Sequence, residues 1–222
     1  VRSIYNRRRS IETRHGIELP TFNDQRVTVE KKILQTEGHT RRGMDIEKGR
    51  VIVFSDAHFW PDITTTAFRA LLEAVKEFKP TAVVCNGDAF DGTTISKHSR
   101  IMWENAPTVK EEIEAVKEHL GEIESTSRFK ENLIWVFGNH DQRLATYLAS
   151  TAPQFEGVQG FSLKDHFPLW KSCWSYWVND HTVIKHRWKG GRYAGSNNTT
   201  FSGLNMVTGH THQLKVEPFT DY

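Results

Sequence analysis

Between residues 51 and 137, three short apolar runs alternate with two segments of helical period, and this alternation restricts the chain more than any other feature. Residues 51–55, 81–85 and 133–137 are continuous apolar stretches too short for helices, the pattern of strands buried on both faces. Over 63–78, Phe68, Leu71, Leu72, Val75 and Phe78 recur at helical spacing, and Pro80 closes the run. Over 107–124, Val109, Ile113, Val116, Leu120 and Ile123 share one face. The sequence therefore predicts βαβαβ with parallel strands. Short strand candidates follow at 174–178, 182–185, 205–207 and 213–216, with few residues between them, and read as antiparallel additions. The class is α/β, with a mixed sheet or two packed sheets.

Composition narrows the setting. Of 222 residues, 37% are hydrophobic and 25% charged, enough apolar matter for a core and too much for a disordered chain. No apolar run approaches the roughly 18 residues that span a bilayer. No apolar segment follows the Arg-rich start, so no signal peptide is expected. Cys85 and Cys173 are too few for a disulfide scaffold, and reduced core thiols in a cytoplasmic protein are the expectation. The charge is uneven. Residues 1–48 hold 11 Lys and Arg against 7 Asp and Glu, whereas 49–222 hold 18 against 20. Residues 1–48 read as a basic N-terminal extension with one short helix near 27–34, and 49–222 as the domain. Such an arm suits either a phosphate-rich partner or plain solvation.

Each apolar run ends on residues that carry chemistry. Asp56-Ala57-His58 follows the first. Side chains two apart in an extended segment point the same way, so both reach one metal ion; a capped helix start is the other reading. Gly87-Asp88-Ala89-Phe90-Asp91-Gly92 follows the second, with Asp88 where one carboxylate can bridge two cations, although Gly and Asp also make ordinary turns. Gly138-Asn139-His140-Asp141 follows the third. Asn offers a neutral carbonyl oxygen and His a ligand or a proton, while Asn139 or Asp141 also suits an N-cap for a following helix. His186 ends the apolar pair Val183-Ile184 and is preferred to His181, which precedes it. Gly209-His210-Thr211-His212 closes the series with two imidazoles expected to project together, a metal-binding signal. Five of the eleven histidines fall in these segments.

Together, Asp56-x-His58, Gly87-Asp88-x-x-Asp91, Gly138-Asn139-His140-Asp141, His186 and Gly209-His210-Thr211-His212 resemble the calcineurin-like metallophosphoesterase superfamily over about residues 50–212. The resemblance implies an αββα sandwich with mixed β-sheets and two divalent metal ions. One ion would be held by Asp56, His58, Asp88 and His212, and the other by Asp88, Asn139, His186 and His210, with Asp88 bridging. His140 would face the substrate instead of a metal, oriented by Asp91. Gly92 and Asp141 stand where protein Ser/Thr phosphatases carry Arg and Glu, and no Tyr follows the second motif as in purple acid phosphatases. The pattern is similar to the nuclease and phosphodiesterase branch, which includes the Mre11/SbcD-like DNA exonucleases. The stretch after His186 and Asp141-Gln142-Arg143 resemble phage-encoded members.

The implied activity is hydrolysis of phosphodiester bonds, in nucleic acid and DNA nuclease-like, by attack of a metal-activated hydroxide. His140 would protonate the leaving oxygen and Asp91 would fix its tautomer. Oxygen and imidazole ligands without thiolate suit manganese or iron, with zinc or magnesium as other candidates, and the resemblance favours manganese. Arg143, His98, Arg100, Arg187 and Lys189 are the candidate phosphate-binding residues, and Trp60 and Trp188 the candidate stacking platforms. A small-molecule phosphatase, a cyclic-nucleotide phosphodiesterase and a non-catalytic scaffold are the alternatives. No membrane partner is expected.

Overall fold

The computed structural model describes residues 12–14, 16, 40–98 and 105–217. The chain divides into two units, Val1–Thr36 and Glu37–Tyr222, and every element below belongs to the second. The helix expected at 27–34 lies outside the described residues. In chain order the elements are β1 (Arg41–Met44), β2 (Val51–Phe54), α1 (Thr66–Phe78), β3 (Ala82–Cys85), α2 (Val109–Thr126), β4 (Leu133–Val136), α3 (Arg143–Thr151), β5 (Lys171–Cys173), β6 (Ser175–Val178), β7 (Thr182–Ile184), α4 (Ala194–Ser202) and β8 (Asn205–Val207). They build two four-stranded sheets, ordered β2-β3-β4-β5 and β1-β6-β7-β8.

Caps decide where the two long helices begin. The Thr65 side chain accepts the Phe68 amide, which starts α1 three residues inside the expected segment. At Lys79 the backbone turns left-handed ahead of Pro80, and α1 ends. Thr108 and Glu111 form a reciprocal capping box that starts α2.

The strand alternation explains the two layers of core. On β3 and β4, Val83, Cys85, Leu133 and Trp135 face Phe68, Val75, Ile113, Val116, Leu120 and Ile123 of the helices. Their neighbours Val84, Ile134 and Val136, with Cys173, face Tyr176 and Ile184 of the second sheet. A strand that buries both faces has no position left for a polar side chain, hence the unbroken apolar runs. Both cysteines are buried and free, and burial pushes the Cys173 thiol up to about 12.

The architecture is a mixed α/β sandwich of the expected class, but two expectations fail. First, the later strands are not a set of antiparallel additions: among the described residues only β6 and β7 pair antiparallel, while β5 runs parallel to β4, β8 to β7 and β1 to β6. The parallel β7–β8 pair needs a crossover, which α4 supplies. Its sequence, Ala-Gly-Ser-Asn-Asn-Thr-Thr-Phe-Ser, has no apolar period, so the helix is silent in the pattern. Second, 213–216 forms no strand, and Leu214 and Val216 are exposed. β1 lies within the residues read as an extension and forms an edge of the second sheet, with the Arg41 guanidinium 3.6 Å from the Trp177 ring centroid. No helix among the described residues is long and apolar enough to cross a membrane.

Candidate metal centre

All five motif segments sit just past the carboxyl ends of β2, β3, β4, β7 and β8, where open α/β sheets present ligand-binding loops. Short main-chain hydrogen bonds tie the first two loops together: the Asp56 amide donates to Gly87 O at 3.0 Å and the His58 amide to Asp88 O at 2.9 Å. From the other sheet, the His210 amide donates to both Asp56 carboxylate oxygens, at 2.9 and 3.0 Å.

The convergence does not use the extended geometry that spacing suggests. Asp56, His58, Asp88, His210 and His212 all have positive φ, between 40° and 71°. Each such residue is strained by roughly 1–3 kcal/mol, and clustering of this strain is typical of functional sites. One result is that His210 and His212 do not project together. His210 joins Asp88 and His186, while His212 joins Asp56 and His58.

Three clusters result, each with its ligand-type atoms within 4.8 Å of one another: Asp56, His58 and His212; His58, Asp91 and His140; and Asp88, His186 and His210. His212 Nε2 is 3.3 Å from Asp56 Oδ1, and His186 Nε2 is 3.0 Å from Asp88 Oδ2. His181, the rejected competitor of His186, is exposed on a turn, whereas His186 is 1% exposed. Burial raises the Asp88 pKa, but His186 and the His140 amide outweigh it and hold the carboxyl below its usual range.

Two observations fit this arrangement to metal ions. Asn139 Oδ1 is buried without a hydrogen-bond partner, while His186 Nε2 has only the Asp88 carboxylate, at 3.0 Å, in polar contact with it among the described residues. Buried polar atoms left so are costly unless something else satisfies them. In addition, the glycines leave room only for the side chains. A Cβ on Gly138 would lie 2.1 Å from Asp88 Oδ1, one on Gly209 2.6 Å from Asp56 Oδ2, and one on Gly87 2.5 Å from His186 Nδ1.

Beside these groups, Asp91 holds two imidazoles at once. Its Oδ1 lies 2.9 Å from His58 Nδ1 and 2.8 Å from His140 Nδ1. Burial works to raise the Asp91 pKa, yet bonds from His140, His58 and Thr93 hold it far below the usual carboxylate range. On His140, burial favours the neutral ring, but Asp91 and Asp88 prevail over it and over Arg143, so the pKa is raised. Arg143 Nη1 donates to Asp91 O at 2.9 Å, and its Nη2 lies 3.3 Å from His140 Nε2.

Two buried carboxylates play parts that the sequence did not show: Asp141 was expected only as a cap, and Glu112 was not singled out. Asp141 does not cap α3, whose N-cap is Gln142 without a side-chain bond. It accepts instead from the amides of Asp88, Phe90 and Gly138 and from Trp135 Nε1, at 2.8 to 3.2 Å. Burial, helped by the Asp88 charge, raises its pKa to about 6 against these donors. Glu112 on α2 accepts from the Gly92 and Thr93 amides and so fixes the loop carrying Asp91. Its signal was its place three residues after Val109 and four before Val116, on the buried face of α2. Replacing Asp141 by alanine leaves four buried donors unpaired. The expected cost is about 3–5 kcal/mol, a melting temperature roughly 10 °C lower by calorimetry. An unchanged melt would remove Asp141 from this role.

The candidate phosphate-binding residues are spread. His98 and Arg143 line one cavity, of about 400 Å³, and Arg187 another, of about 290 Å³. Lys189 stands on the loop beyond, its Nζ 4.7 Å from the Phe201 ring centroid, and lines neither cavity. Trp188 lines the second cavity; Trp60 lines neither and is half-buried. Arg100 lies outside the described residues.

Comparison with known proteins agrees with the motifs. The family model described as calcineurin-like phosphoesterase matches residues 49–214. No curated protein and no solved structure matches the chain.

Proposed function

The chain belongs to the calcineurin-like phosphoesterase family, and from that premise we propose that it is a two-metal phosphodiesterase acting on nucleic acid. Phosphoester hydrolysis follows from the family. The diester preference, the nucleic-acid substrate and the pair of ions are the proposal. The observation that carries it is the group of Asp88, His186 and His210, with the unpartnered Asn139 Oδ1 on the loop whose His140 amide binds Asp88 and the His58 amide of the Asp56, His58 and His212 cluster donating to Asp88 O. Asp88 would be shared between the two groups. The neutral oxygen and imidazole donors suit manganese.

When bound, such ions supply positive charge for a phosphate and lower the pKa of water toward neutrality. The residues of the chain do the rest. Asp56 and Asp88 supply the negative charge that retains the cations, and the histidines and Asn139 supply neutral donors. Asp91 accepts from His140 Nδ1, which fixes the ring with Nε2 4.0 Å from Asp88 Oδ2. In the structure the Arg143 guanidinium approaches that Nε2. A phosphate entering the site draws Arg143 to its own oxygens, and Nε2 is then free to carry a proton to the leaving oxygen. Asp91 and Asp88 raise the pKa of His140, the direction that favours that protonated form.

A panel of substrates with added manganese tests the reading. Single-stranded DNA, RNA and bis(p-nitrophenyl) phosphate are expected to be hydrolysed faster than p-nitrophenyl phosphate. Turnover confined to the monoester would overturn it.

A further inference from the structure

Two cavities meet at Asn139, the one residue that lines both. The larger, about 400 Å³, is formed by the 95–98 loop and α3 and carries Lys97, His98, Arg143 and Tyr147. The smaller, about 290 Å³, lies between the end of β4 and the segment after β7 and carries Trp174, Lys185, Arg187 and Trp188. Among the described residues no acidic side chain lines either one, in a chain with 27 Asp and Glu. A phosphomonoester has one organic arm and a phosphodiester has two. A candidate metal ligand between two cationic cavities therefore matches a diester whose arms leave in different directions.

The chemistry of the cavities differs, and so would the arms. Each indole of the smaller cavity has an ammonium near its ring: Lys185 Nζ, within the lining, lies 5.6 Å from the Trp174 ring centroid, and Lys189 Nζ, outside it, 5.7 Å from that of Trp188. Indole faces beside cations suit a nucleobase with its backbone phosphate. A base that stacks on an indole there has given up stacking in its own helix. The larger cavity offers Lys97, His98 and the Arg143 guanidinium, groups that grip a backbone without reading sequence.

We infer that the centre acts on single-stranded nucleic acid, with a base on one side of the scissile phosphate stacked in the Trp174–Trp188 cavity and the backbone on the other side held by Lys97, His98 and Arg143. This rests on the phosphodiesterase reading above and specifies its substrate.

The test is fluorescence anisotropy of a 5′-labelled, phosphorothioate-linked hexanucleotide titrated with the full chain and manganese. Trp188 is 39% exposed, so its replacement is not expected to disturb the core. Trp188→Ala is expected to weaken binding by about tenfold or more, and Trp188→Phe to restore most of it. A blunt duplex of the same sequence is expected to bind at least about tenfold more weakly. Equal binding by Trp188→Ala, or a duplex bound as tightly as the single strand, overturns the inference. Hydrolysis of bis(p-nitrophenyl) phosphate by the same preparation separates the two levels. If it persists while either of these binding results fails, the single-strand assignment alone falls. If it is absent too, the phosphodiesterase reading falls with it.

Discussion

Asp88→Asn is expected to strip the protein of at least one equivalent of manganese and to lower hydrolysis of bis(p-nitrophenyl) phosphate by about 10³-fold or more. Asp88 is 1% exposed and sits against His186, with its other oxygen taking the His140 amide at 2.8 Å. The amide replacement keeps the shape and that acceptor while removing the negative charge of the Asp88, His186 and His210 group. Loss of charge stabilisation of several kcal/mol corresponds to a rate loss of this order. Metal content after dialysis, measured by mass spectrometry beside turnover, checks both halves. A variant that keeps full metal content and full turnover would take Asp88 out of the centre.

His140→Ala is expected to give a different signature, with metal content kept and kcat lowered. For an oligonucleotide, whose leaving alkoxide needs a proton, the loss should be about 10²–10⁴-fold. For a p-nitrophenyl ester, whose leaving group departs unprotonated, it should be much smaller. The contrast matters because His140 also touches the loop of Asp91 through its ring and Asp88 through its amide. A merely structural role would depress both substrates equally, and that outcome would remove His140 as the proton donor.

Comparison of particular residues shows what is legible in such a chain. Val83, Val84 and Cys85 announce a two-faced strand because both faces of β3 are buried and every position is apolar. α4 announces nothing, since a crossover helix of small polar residues leaves no apolar period to read. The spacing of His210 and His212 was readable, but the inference that they point together was not correct, because both lie in left-handed backbone that sends them to different clusters. Asp141 looked like a helix cap and proved to be a buried acceptor for four donors.

The sequence by itself determined the three central strands β2, β3 and β4, the two long helices and the order of residues able to bind metal, since periodicity and residue chemistry are local properties of the chain. Only the tertiary structure decided which of those residues meet. Asp88 and His186 are far apart along the chain, and their 3.0 Å approach depends on two sheets packing with their loop ends together. It also decided which loops carry strain and where cavities open beside Asn139, because these follow from distances between elements that no local pattern encodes.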